Sequence, residues 1–71
     1  MNVINKYIRP DQLMAGVDYL YNELSKSWEP VQTAYWSDSL HGYYVLIGTL
    51  KGYGTIHTYP PDSLVLAQRY Y

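Results

Sequence analysis

Three groups of residues in this sequence have side chains suited to chemistry. Asp38, Ser39 and His41 supply a carboxylate, a hydroxyl and an imidazole within one short stretch. A catalytic triad works by converging such groups on one point from separate directions, so its members are defined by spatial roles. Neighbours in a Ser-Asp-Ser segment diverge instead, and these residue types favour turns. His57 could serve as a general base with Tyr44 or Tyr59 as the acid. A lone histidine in a strand is ordinarily a packing or surface residue, and a chain this short has little room for a pocket with convergent polar groups. The run Gly48-Thr-Leu-Lys-Gly-Tyr-Gly54 carries glycines and a lysine, as phosphate-binding loops do. It lacks the Walker spacing and no helix follows it, so a turn explains its glycines better. There is no cysteine, and the two histidines lie 16 positions apart, so no metal site is expected. These residues predict a protein that is not an enzyme and holds no cofactor.

The 71 residues bound the chain to a single small domain, residues 1–71. Without disulfides or a metal, stability must come from a dense aromatic core or from self-association. Ten tyrosines and two tryptophans, with no phenylalanine, supply the aromatic area. So many hydroxyls cannot all be buried, and tyrosine-rich surfaces are common at interfaces. The formal charge is −1, from five basic and six acidic residues, with no charge run. That argues against nucleic acid as a partner, because a nucleic-acid surface needs a basic patch. No apolar run reaches the ~20 residues of a membrane-spanning helix, and no basic-then-apolar N-terminal segment signals export. A cytoplasmic location is the expectation.

Any site must be positioned by the elements around it. The stretch from Pro10 to Lys26 predicts an amphipathic helix. Leu13, Met14, Val17, Leu20, Tyr21 and Leu24 fall at helical spacing, with Gln12, Asp18, Asn22, Glu23 and Lys26 opposite. Proline suits the first helical position. Residues 31–36, 42–50 and 53–59 predict strands, the last two joined by a two-residue turn at Lys51-Gly52. Residues 64–71 alternate as a fourth strand would, with a short helix capped by Asp62 or Ser63 as the alternative. Residues 1–9 read as an extended arm or edge strand. The predicted fold class is α+β, with one amphipathic helix packed on a three- to four-stranded antiparallel sheet. This order of helix, three strands and a possible final helix resembles a double-stranded-RNA-binding domain in outline. The basic residues that such domains set against phosphates are missing, since the C-terminal segment has only Arg69.

A two-residue turn at Lys51-Gly52 would pair Leu46 with His57 and Tyr44 with Tyr59, because side chains alternate across a sheet. Tyr43, Val45, Ile47, Ile56 and Thr58 would then face the helix. A four-residue loop at Asp38–His41 would add Ala34 and Trp36 to that core face. The other face would hold Tyr35, Tyr44, Tyr53, His57 and Tyr59, the candidate partner-binding residues, with Val31, Thr33, Leu46 and Leu50. It is either exposed or covered by one of the chain ends. The function expected on this reading is a small protein-binding module, an inhibitor or adaptor that acts by occluding a larger protein or complex. A phage or mobile-element protein that blocks a host machine is one such case. The alternatives are a possible homodimer, or a single-stranded nucleic-acid binder that stacks bases on tyrosine.

Overall fold

The computed structural model describes residues 2–70. They form six strands: β1 (Val3–Ile8), β2 (Asp18–Asn22), β3 (Ser27–Ser37), β4 (Gly42–Ile47), β5 (Thr55–Tyr59) and β6 (Val65–Tyr70). All pairings are antiparallel, in the order β1-β6-β2-β3-β4-β5. Strand β3 joins two halves: residues Ser27–Pro30 pair with β2, and Val31–Ser37 pair with β4. A strand that passes from one half-sheet to another makes a corner, and bulges assist it. The register shift between Val31 and Thr33 leaves Gln32 as the extra residue of a bulge. Leu20, Val65 and Ala67 from one half meet Val45 and Ile47 from the other, with Val31 at the corner and Leu13 closing one end. Each fully buried aliphatic of this kind contributes about 1.5–3 kcal/mol.

The expected α+β class is corrected: residues 2–70 contain no α-helix, only a 3-10 turn at Pro10–Gln12. The stretch assigned to a helix is instead that turn, a loop and the β2–β3 hairpin. Gly16 takes a φ of +80°, which ends any helical run. From Asp18 onward the operative period is two. Asp18, Leu20 and Asn22 point inward, while Tyr19 and Tyr21 point out. Two of the five polar residues assigned to the helix's solvent face, Asp18 and Asn22, are thus buried. Leu24, counted in the apolar stripe, sits exposed at the hairpin turn. Asn22 shapes that turn: its Oδ1 accepts from the Leu24 N–H at 2.9 Å, and its Nδ2 donates to Thr55 Oγ1 at 2.9 Å and to Glu29. The Thr55 bond ties β2 to β5 across the core.

Asp18 is fully buried. Arg69 grips it with two bonds, Nε to Oδ1 at 2.6 Å and Nη2 to Oδ2 at 2.7 Å, and the Met14 N–H donates to Oδ2 at 2.8 Å. Burial alone would raise the Asp18 pKa. The hydrogen bonds from Arg69 and Met14, with the charges of Arg69 and Lys6, outweigh it and hold the carboxyl below its ordinary 3.8.

The β4–β5 connection corrects the expected turn. Lys51 and Gly52 do form a turn, with Tyr53 N–H bonded to Leu50 C=O at 2.9 Å, but the strands stop at Ile47 and resume at Thr55. Residues 48–54 form a loop, and the register differs by one residue: Leu46 faces Ile56, and Val45 faces His57. A slip of one residue turns every β5 side chain to the other face. The loop is held by Gln32. Its Nε2 donates to the carbonyls of Gly48, Leu50 and Tyr53 at 3.2, 2.9 and 2.7 Å, and its Oε1 accepts from Gly52 N–H at 2.9 Å. Gly54 is needed where the loop closes, since a Cβ there would lie 2.0 Å from the Ile47 carbonyl oxygen.

Candidate protein-interaction surface

Alternation along β3, β4 and β5 separates two faces. Val31, Ala34, Val45 and Ile47 face inward, the last two with 0% exposure; Val31, expected on the open face with Tyr35, is turned inward by the extra residue Gln32 of the bulge. Thr33, Tyr35, Tyr44, Leu46, Ile56 and Thr58 face outward, and none of these six is charged. Tyr35 and Tyr44 are directly opposed across β3 and β4 and stack with ring centroids 4.9 Å apart and planes 27° apart. Such cross-strand aromatic pairs stabilise a sheet and hold each other's rotamers. Beside them Ile56 is 55% exposed. The platform runs into a shallow cleft of about 500 Å³ lined by Pro30, Thr33, Leu46, Thr49 and Lys51. Gln32, through its bonds to the 48–54 loop, fixes one wall of that cleft.

Of the five candidate residues, Tyr35 and Tyr44 are brought together on this face. Tyr53 lies on the 48–54 loop and is 72% exposed. His57 and Tyr59 are on the inner side, half-buried, because of the one-residue register difference. Their rings stack at 6.2 Å, and Tyr59 Oη lies 3.4 Å from His57 Nδ1. His57 Nε2 is buried with no hydrogen-bond partner among the described residues. Burial raises the Tyr59 phenol above its ordinary 10.0, so it stays neutral across physiological pH. The register also brings in Ile56, which the sequence reading placed in the core. Glycines at both 48 and 54 were the available sign of a longer loop, since a two-residue turn needs neither.

Asp38, Ser39 and His41 form the exposed β3–β4 turn and do not converge as a triad. Asp38 accepts from Trp36 Nε1 at 2.8 Å, the Ser39 hydroxyl lies 3.1 Å from that of Ser37, and His41 has a φ of +52°. Among the described residues, no three His, Asp or Glu side chains are grouped so as to hold a metal ion. No helix among them is long and apolar enough to cross a membrane. No protein-family model, curated protein or solved structure matches the chain.

Proposed function

We propose that this protein is a binding module that docks another protein on the outer face of β3, β4 and β5. The observation that carries this reading is the stacked, outward-facing Tyr35–Tyr44 pair on an uncharged surface with Leu46 and Ile56 beside it. Tyrosines held in place by packing give large contact area at small entropic cost. A contiguous exposed apolar patch on a small domain marks an interaction site. The fully buried Val45 and Ile47 behind the patch keep it rigid, which lowers the cost of binding. Stacking of single-stranded bases is less favoured, because the six outward residues carry no charge and Lys51 is the single cation lining the adjoining cleft.

Tyr35→Ala and Tyr44→Ala are each expected to weaken partner binding by more than ~1 kcal/mol and leave the fold intact. Tyr59→Ala serves as the contrast. It packs against the core and is expected to destabilise the fold by about 2 kcal/mol. Urea denaturation of the three variants, beside capture of partners from the native host, separates the two effects. Loss of stability from the Tyr35 and Tyr44 variants, with binding unchanged once they are folded, would sink the proposal.

A further inference from the structure

A second aromatic constellation lies away from the platform. Strands β2 and β6 pair only through Asp18–Leu20 and Ala67–Arg69. Beyond that point β2 continues against β3 alone, and the start of β6 continues against β1 alone. The two strands part there, and a cavity of about 380 Å³ lies at the opening. Tyr21 and Trp28 are directly opposed across β2 and β3, with ring centroids 5.6 Å apart and planes 73° apart, so they form two walls near a right angle. Tyr59 lines the same cavity, and Leu64 and Leu66 complete its apolar side. Glu23, on the exposed β2–β3 turn, also lines it and is the one charged residue that does so. A neighbouring cavity of about 460 Å³ shares Tyr21, Glu23 and Tyr59; its lining has no lysine or arginine but includes His57, whose ring stacks on one side of Tyr59.

Three electron-rich rings and one carboxylate, with no cation among them, have a definite complement. An aromatic face attracts positive charge through its quadrupole, and the edge-to-face Tyr21–Trp28 pair forms a ring-lined corner on the cavity that Tyr59 also lines. A strongly hydrated ammonium with free N–H groups would lose hydrogen bonds on entering such a site. A methylated ammonium presents apolar methyl groups with diffuse positive charge, and so gains from the rings, the leucines and Glu23 together. We infer that the opening between β2 and β6 is a binding site for methylated ammonium groups, with Tyr21, Trp28 and Tyr59 as its walls and Glu23 as its counter-charge. Charge complementarity selects this class over a neutral apolar ligand, for which Glu23 would offer nothing. The site is separate from the Tyr35–Tyr44 platform and stands without it.

The test is titration of the full chain, followed by the NMR signal of the Trp28 indole N–H. The probes are tetramethylammonium, a trimethyl-lysine peptide, and 3,3-dimethylbutan-1-ol as a neutral isostere of choline. Saturable shifts are expected with both cations, with the neutral alcohol about tenfold weaker or more. Tighter binding of the peptide assigns the cation to a modified protein side chain; equal binding assigns it to a free small molecule. Either supports the site. Glu23→Gln, at an exposed turn position that leaves the fold alone, is expected to weaken the cations about three- to tenfold and leave the alcohol unchanged. Equal affinity for cation and alcohol, or no saturable shift with either cation, would overturn the assignment.

Discussion

Arg69→Met is expected to destabilise the protein by about 3–5 kcal/mol, since it leaves the Asp18 carboxylate buried without its charged partner. Asp18 has no exposure, and Arg69 itself is only 17% exposed, so solvent screens the pair little. The bidentate grip also links β2 to β6, neighbours in one half-sheet that lie far apart in the chain. A double variant, Asp18→Leu with Arg69→Met, is expected to recover part of the loss, the remainder being the Met14 N–H left without its acceptor. Removing both charges removes the desolvation cost with them. The same pair sets an acid limit. The folded carboxyl titrates below its ordinary 3.8, so the unfolded chain binds the proton more readily. Stability from Asp18 is therefore complete above that value and is lost as pH falls through the lower, folded value. Urea denaturation across a pH series should show wild type converging on Asp18→Asn only below 3.8. Parallel curves down to the acid limit would show that the pair contributes nothing.

Gln32→Ala is expected to cost about 2–3 kcal/mol, from four hydrogen bonds worth roughly 1 kcal/mol net each, partly recovered by hydration. The amide's two N–H groups serve three carbonyls, so one bond is shared. Gln32→Glu is the sharper variant. It keeps an acceptor for Gly52 N–H but sets a carboxylate oxygen against three carbonyl oxygens. It should be at least as destabilising at neutral pH and milder in acid, where the carboxyl can donate. Amide exchange should speed up at Gly52 and Tyr53 in both variants, and unchanged exchange there would remove Gln32 as the loop's organiser. The cleft beside the platform should collapse with the loop.

The sheet's aromatic pair was legible in the sequence because it rests on a local feature. The four-residue turn Asp38–His41 sets Ser37 opposite Gly42, and from there Tyr35 falls opposite Tyr44 by counting. The same counting failed at residues 48–54, where a side chain 16 or more positions away chooses the loop length. Gln32 reads as an ordinary strand polar residue, and nothing local marks it as the bulge that holds a distant loop. The β2 region failed for a different reason. Leu13, Val17, Leu20 and Leu24 fit a helical period by coincidence. The decisive facts, the Asp18–Arg69 pair and the Asn22–Thr55 bond, are tertiary. Gly16 and the alternation from Asp18 to Asn22 were the local signs that favoured a turn and a strand. The opening between β2 and β6 was not legible at all, since it arises where the two strands stop pairing beyond Leu20 and Ala67, residues 47 positions apart.

Docking on the outer face is tested most directly by site-specific photo-crosslinking in the native host. A photoreactive residue is placed in turn at Tyr35, Tyr44 and Ile56, with Tyr7 on the opposite edge strand β1 as the control. One discrete adduct with a different protein, formed from positions 35, 44 and 56 and absent from position 7, is the predicted result. An adduct from position 7 alone would contradict it, as would adducts from the outer face whose mass is that of two copies of this chain.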